Sequence, residues 1–464
     1  MAMSRTLASF LAALLSVSLT GHAAGQSQVQ RITPGGALTS DIFTYDVAYD
    51  GELIVAGAPF ATYSGVSQPG RAFVFEKPGG AWVQTAELRP PVLQANAAFG
   101  TQVACAGGVV VIGTPGEDGS FQNSGAVYVF ERLGPIWTLV QRLTAPTEYA
   151  SGNFGVGVAV RADGGMIVVG SNGATSSDIM LAGEVFVFEK AGGVWTRTQT
   201  LVSPDPDFDD NFGTQVAIDG DRLIVSAIDD DSEEAPDAGG VYVFERSGGS
   251  WGFQSKITGD AFETDTDFGG SLALRGPIAV VGAQLEDEPD ESDAGAAYVF
   301  RLEGGSWTQV ARLTAPVPDA SDRFGCDVAT DGRTVVVGAH LAAVNSRVGG
   351  AFVYRESHGN WIHSATLNAS DAGNTNFGWR LAMKGDRAVI GGPFYQTNRG
   401  AGYIFESMRS CLADMDGTGF VDTDDYDAFV VAYEAGAAHA DMDGSGFVDT
   451  DDFDAFVAAY EAGC

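Results

Sequence analysis

Basic residues are scarce in this chain. Lys and Arg number 25 against 60 Asp and Glu, a formal net charge of −35 at pH 7 over 464 residues. Binding to nucleic-acid phosphates draws on clustered Lys and Arg, so a nucleic-acid partner is excluded. Histidine is rarer still. His22, His340, His358, His363 and His439 are the five, and they form neither an HExxH pair nor another metal-ligand spacing. Nucleophile-elbow, Walker and strand-to-helix GxGxxG motifs are absent as well. These absences lead to the expectation that the protein is not an enzyme, with no catalytic residues and no organic cofactor to assign.

Long apolar runs are also missing, with one exception at the N-terminus. Leu7 to Leu19 follows Arg5 and precedes Ala23-Ala24-Gly25. A basic start, a short apolar stretch and small residues near a cleavage point read as a secretory signal over residues 1–25. The run is too short to span a bilayer comfortably, so the mature protein is expected to be secreted, extracellular or at the cell surface, and not membrane-spanning. Four cysteines suit an oxidising compartment. Cys105 and Cys326 lie far apart and could be paired or be free buried thiols; sequence does not decide pairing.

Glycine is abundant, at 62 residues, as many tight turns require. Short runs rich in Val, Ile, Phe and Tyr alternate with Gly and Asp turn signals, the pattern of strands joined by hairpins. Phe212 to Thr258 contains four such runs. A Phe, usually followed by Gly, recurs at Phe43, Phe99, Phe154, Phe212, Phe268, Phe324 and Phe377, with successive markers 53–58 residues apart. Trp82, Trp137, Trp195, Trp251, Trp307 and Trp361 follow at offsets of 37–41 residues. A fixed period of this size with four strands per unit predicts a β-propeller. The seventh unit lacks a Trp strand, while Val29 to Thr33 (VQRIT) matches Val140 to Thr144 (VQRLT) in the Trp strand of a complete unit. The N-terminal strand is therefore expected to complete the last blade and close a ring of seven, over residues 26–408.

These units resemble the FG-GAP repeat of integrin α-chain propellers and exported bacterial proteins. Besides the FG markers, the GAP element stands as Gly57-Ala58-Pro59, more loosely at Gly113, Gly282, Gly338 and Gly391, and is lost at Gly170 and Ser226. Many members carry a DxDxDG calcium loop between the two elements. Here that place holds a tight turn such as Asp219-Gly220-Asp221 or Asp331-Gly332, so calcium is not assigned to the blades. Acidic loops run from Asp229 to Asp237 and from Glu286 to Asp293, at equivalent places in blades 4 and 5. They are either a patch for a cation or a basic partner, or a pair of solvated loops. The recurring Trp residues read as packing anchors between blades.

From Cys411 the pattern changes. Residues 413–436 recur as 440–463 with near-identity. Each copy opens on a loop with oxygen donors at positions 1, 3, 5, 9 and 12: Asp414, Asp416, Thr418, Asp422 and Asp425 in the first, and Asp441, Asp443, Ser445, Asp449 and Asp452 in the second. Gly419 and Gly446 occupy position 6, and Phe420 and Phe447 offer carbonyls at position 7. Calcium takes six to eight hard oxygens, which this spacing supplies, so two calcium ions are expected. A helix follows each loop. Tyr426, Phe429, Val430 and Tyr433, and likewise Phe453, Phe456, Val457 and Tyr460, form one apolar stripe apiece. The duplication resembles a dockerin module over 411–464, a small α-helical domain. That resemblance implies a cohesin-like domain or surface scaffold as partner, selected in part by Thr423-Asp424 and Thr450-Asp451. A disulfide between Cys411 and Cys464 would close a loop around the module and stabilise it by roughly 3–4 kcal/mol.

The expectation is thus a mainly β chain, a seven-bladed propeller with a calcium-loaded anchor. The propeller would bind a protein or glycan ligand through its loops. The alternative is a secreted polysaccharide hydrolase or lyase on the same anchor, its carboxylates gathered from several blades at the central channel.

Overall fold

Each apolar run becomes a strand, and the glycines and aspartates between them become turns. The computed structural model describes residues 27–36, 40–232, 235–260, 264–344, 347–357, 359–371, 375–406, 423–435, 440, 448 and 450–462. The signal reading over 1–25 lies outside them. Two units result, one spanning Gln26–Arg409 and the other containing Ser410–Cys464.

In the first unit the described residues form seven four-stranded antiparallel sheets. Blade 1 comprises Val47–Tyr49, Leu53–Ala58, Arg71–Glu76 and Val83–Leu88. The first strands of successive blades touch one another in a complete circle, and that of blade 7, Leu381–Lys384, touches that of blade 1. They line the propeller axis. The fourth strand of blade 7 is Ser27–Ile32, paired antiparallel to Ala401–Glu406. The expected N-terminal closure is present, and it covers the edge of Ala401–Glu406 that would otherwise lie bare.

The FG and GAP residues meet across blade boundaries. A Cβ on Gly57 would lie 1.9 Å from the carbonyl oxygen of Gly100 in the next blade, and one on Gly113 would lie 2.2 Å from that of Gly155. The glycine of one repeat's GAP therefore abuts the glycine of the next repeat's FG; in blade 4 the small Ser226 takes the first glycine's place, facing Gly269. The residue before each Phe is left-handed: Ile42, Ala98, Asn153, Asn211, Asp267, Arg323 and Asn376 all have φ between 49° and 59°. Asn and Asp tolerate this conformation best, which accounts for four of the seven. Each Phe is fully or almost fully buried and meets two rings of its own third strand. Phe99, for example, lies 5.5 Å from Tyr128 and 6.2 Å from Phe130, contacts of about 0.5–1.5 kcal/mol each beyond area burial.

Two alternative cores fill the blades. In blades 2, 4 and 5, Tyr128, Tyr242 and Tyr298 pair across the sheet with Arg142, Lys256 and Arg312. A carboxylate completes each set. Tyr128 donates to Glu117 at 2.8 Å, Tyr242 to Asp230 at 2.7 Å and Tyr298 to Glu286 at 2.7 Å. Arg142 and Arg312 donate to those acids at 2.9 and 2.8 Å, and Lys256 to Asp230 at 2.8 Å. Blade 7 repeats the theme with Tyr403, Asp371 and Arg31. In blades 1, 3 and 6 the tyrosine is Phe73, Phe186 or Phe352, and the position of the carboxylate is the buried Ala61, Ala174 or Ala342. Their cross-strand partners are Glu87, Thr200 and Thr366. The phenol, acid and base are thus present or absent together, because a buried carboxylate without a counter-charge is costly.

The Trp residues are anchors, as expected, and again of two kinds. Trp82, Trp195 and Trp251 are buried. Each has its backbone N–H and C=O clamped by a glutamine of the preceding blade: Gln30, Gln141 and Gln199, at 2.6–2.9 Å. Trp137 and Trp361 instead pack where Ala86 and Ala311 stand. Gln30 lies on the N-terminal strand, so the closing strand also grips blade 1.

In the second unit, α1 (Thr423–Glu434) and α2 (Thr450–Ala462) follow the two acidic loops. Phe429 and Phe456 are fully buried and stack at 4.0 Å with an interplanar angle of 3°. Tyr426, Tyr433, Phe453, Val457 and Tyr460 pack around them, as the stripe spacing predicts.

Candidate functional site

The two positions after each FG line the axis, and blades 6, 7 and 1 put chemistry there. Asp46 of blade 1, Asp327 of blade 6 and Arg380 of blade 7 occupy equivalent places, with Arg380 Nε 3.9 Å from Asp46 Oδ1. Both carboxylates accept a backbone N–H from the next blade: Val103 to Asp46 at 2.6 Å, and Leu381 to Asp327 at 2.5 Å. Burial pushes the Asp46 carboxyl up to about 7, against the pull of Arg380 and the Val103 N–H. Burial likewise pushes Asp327 up to about 6. Beside them Trp379 meets His340 at 4.7 Å, Tyr45 at 5.9 Å and Phe394 at 5.8 Å. Tyr45 in turn meets Phe60 at 5.4 Å. Burial, with Arg380 and Arg323 adding to it, holds the His340 imidazole down at about 4, so it is neutral at neutral pH. An aromatic ledge over a charged cluster therefore spans three blades at the axis. Sequence reading missed it, because the lining positions change residue type from blade to blade and only ring closure brings Asp46 to Arg380.

The acidic loops divide into buried and exposed parts. Asp230 and Glu286 are buried in the Tyr–carboxylate–base sets already described, so the leading carboxylates are core elements. The neighbours behave as a mutually repelling group. Burial first, then Asp209, Asp237 and Asp267, raise the Asp229 carboxyl. Asp237 is raised in the same sense by burial, Asp231, Asp265 and Asp209. Among the described residues no group of three or more His, Cys, Asp or Glu has a metal-holding arrangement. The Asp219-Gly220 turn is a two-residue hairpin, and Asp219 Oδ2 accepts the Gly276 N–H of blade 5 at 2.7 Å; the turn links blades. Cys105 and Cys326 are both free thiols.

In the C-terminal unit the described part of each candidate calcium loop is its last ligand. Asp425 and Asp452 are both fully buried, in the first turns of α1 and α2. Asp414, Asp416, Thr418, Phe420, Asp422, Asp441, Asp443, Ser445, Phe447 and Asp449, with Cys411 and Cys464, lie outside the described residues. So do the side chains of Thr423, Asp424 and Asp451; Thr450 is exposed. Residues 411–464 contain fourteen Asp and Glu and no Lys or Arg. Both buried carboxylates stand at the twelfth place of a loop of hard oxygen donors, and a divalent cation fits that donor set.

Seven four-stranded sheets in a ring, closed by the N-terminal strand, define a seven-bladed β-propeller. A family model described as FG-GAP repeat matches residues 26–75, 82–130, 195–244, 251–300, 307–354 and 361–405. The chain belongs to the FG-GAP repeat family. The matches omit 131–194, where blade 3 has Gly170-Ser171-Asn172 in place of GAP, yet its sheet is complete. No curated protein matches. Among solved structures, the chain is similar to a Bacteroides fragilis protein described as a "putative 6-phosphogluconolactonase", with 11% identity and a TM-score of 0.47, over 68% of this chain and 81% of that one. Among the described residues no helix is long and apolar enough to cross a membrane.

Proposed function

We propose that this is an exported, non-catalytic binding protein whose propeller is tethered by a calcium-loaded C-terminal module. The observation that carries the tether is the pair Asp425 and Asp452, equivalent and fully buried in a segment without Lys or Arg. Calcium held by the two loops would neutralise them and fix the loop ends against the Phe429–Phe456 stack. Thr423-Asp424 and Thr450-Asp451 at the helix starts would then face a cohesin-like domain or scaffold, with a Cys411–Cys464 bond closing the module. The propeller would present its loops to a protein or glycan. Titration of the full chain with calcium, after chelator treatment, tests the tether. Two equivalents are expected, and one is lost in each of Asp425→Ala and Asp452→Ala. Absence of uptake refutes it. Recovery of partners from a surface extract only when calcium is present tests the docking role.

A second reading, a secreted polysaccharide hydrolase or lyase, is favoured by one observation: Asp46 and Asp327, raised to about 7 and about 6, flank Arg380 at the axis. Perturbed carboxyls often mark active sites. Against it, both accept a backbone N–H of the neighbouring blade, which gives each a structural task. Polysaccharide turnover abolished by Asp46→Asn or Asp327→Asn would replace the first reading with the second.

A further inference from the structure

A charge ladder runs around the propeller on the side of the turns between first and second strands. The glutamate ending each third strand's apolar run pairs with a base on the next blade: Glu76 with Arg132 at 2.5 Å, Glu131 with Lys190 at 2.6 Å, Glu189 with Arg246 at 2.9 Å and Glu406 with Lys77 at 3.5 Å. The ladder fails at blade 5. Leu302 stands where the base belongs, and Glu245 turns back to Arg222 of its own blade at 3.2 Å. Between blades 5 and 6 the polarity is inverted, with Arg301 facing Glu356 at 2.6 Å.

A cleft of about 630 Å³ opens at this irregularity, lined by Asp219, Arg275, Arg301, Asp331, Arg333 and Glu356 over a floor that includes Gly276, Pro277 and Gly332. Its carboxylates are committed. Asp219 accepts the Gly276 N–H and faces Arg275 at 3.2 Å. Asp331 accepts the Arg333 and Thr334 backbone N–H groups at 3.0 and 2.8 Å. Glu356 holds Arg301. The guanidinium groups are far from saturated. That of Arg275 is half exposed and reaches Asp219 through one nitrogen. The Arg333 side chain is exposed and has no ion-pair partner among the described residues. Each planar guanidinium carries five N–H donors suited to a two-oxygen acceptor.

We propose that this cleft binds an acidic saccharide unit, one whose carboxylate or sulfate lies between Arg333, Arg275 and Arg301 while its ring covers the glycine-proline floor. The volume falls in the range of small-molecule sites, and forked contacts from arginine favour oxyanions. The net charge of −35 disfavours a long polyanion, so the ligand is a short or terminal unit.

Calorimetry on the full chain with calcium present, at fixed ionic strength, tests this with galacturonic acid, galactose 6-sulfate, galactose and inorganic sulfate. One or both acidic sugars should bind with a Kd of about 1 mM or tighter, the responder identifying the oxyanion, and galactose should not. Arg333→Gln should weaken binding about ten-fold or more, whereas Arg161→Gln, a charge-matched change in blade 3, should not. The proposal is overturned if neither acidic sugar binds, if inorganic sulfate binds as tightly, or if Arg333→Gln and Arg161→Gln behave alike.

Discussion

Blade 4 can be rewritten with the core of blade 3. Lys256→Thr alone leaves Asp230, buried and bonded to Tyr242, without the cation 2.7 Å away. Breaking a buried pair from one side costs about 3–5 kcal/mol. Tyr242→Phe alone removes the single phenolic O–H that lies 2.7 Å from Asp230 and 2.8 Å from Asp205, at about 1.5–3 kcal/mol for a charged acceptor. Asp230→Ala alone is milder, about 1–2 kcal/mol, because Tyr242 keeps Asp205 and Lys256 can turn to solvent. The three singles together come to about 6–10 kcal/mol. The triple variant Asp230→Ala, Tyr242→Phe, Lys256→Thr reproduces Ala174, Phe186 and Thr200 of blade 3. It leaves no buried polar atom of the set unpaired, so it should lie within about 1 kcal/mol of wild type. Native-state hydrogen exchange of Gly240–Ser247 reads the local free energy, and guanidinium melts followed by Trp fluorescence read the global midpoint. The reasoning fails if the triple variant is as unstable as Lys256→Thr, or if Lys256→Thr costs less than about 1 kcal/mol.

Other outcomes can be checked singly. Asp46 has a folded pKa of about 7 against an ordinary 3.8, so its contribution is full below about pH 4 and is lost as pH rises through 7. Asp46→Asn, which keeps an acceptor for the Val103 N–H, should flatten that part of the melting-temperature profile between pH 4 and 8; equal slopes would refute it. Gly57→Ala should lower the melting midpoint, since the Gly100 carbonyl 1.9 Å away is backbone and must shift to make the room that blade 4 already gives Ser226; an unchanged midpoint would contradict the close packing. Gln30→Ala removes both bonds to the Trp82 backbone and should speed protease cleavage within Ser27–Ile32 while leaving blade 4 exchange unchanged. Phe429→Ala deletes half of a 4.0 Å stack and should cost the C-terminal unit about 3–5 kcal/mol, read as lost helix signal on mild heating.

Much of this architecture is legible in the sequence. The FG and Trp markers recur because each sits at a fixed packing point, and VQRIT matched VQRLT because Gln30 and Gln141 do the same work on a neighbouring Trp. The acidic loops were legible only as acidic. Nothing in the run Asp229-Asp230-Asp231 says which carboxylate turns inward, until Tyr242 and Lys256 are seen to require Asp230. The axis cluster was illegible for another reason. Asp46 and Arg380 belong to opposite ends of the chain, and their position carries Gln102, Gly157, Gln215 or Ser271 elsewhere, so no motif flags it. In the tail, loop spacing raises the expectation of calcium, while the burial of Asp425 and Asp452 has no marker in the sequence.

The closing strand gives the molecule a length check. Arg31 and the Tyr395 hydroxyl it grips are 364 residues apart in sequence, and bringing such distant ends together costs about 5 kcal/mol of chain entropy. Within the propeller Ser27–Ile32 comes first in the chain, yet its partner strand Ala401–Glu406 comes last. A chain made from its N-terminus holds that edge bare throughout, and a chain truncated before residue 401 can never cover it. Such fragments keep two open strand edges, the surface on which unfinished β proteins aggregate. Only a complete propeller pairs Ser27–Ile32 with Ala401–Glu406, so the seam between the two ends separates finished molecules from unfinished ones.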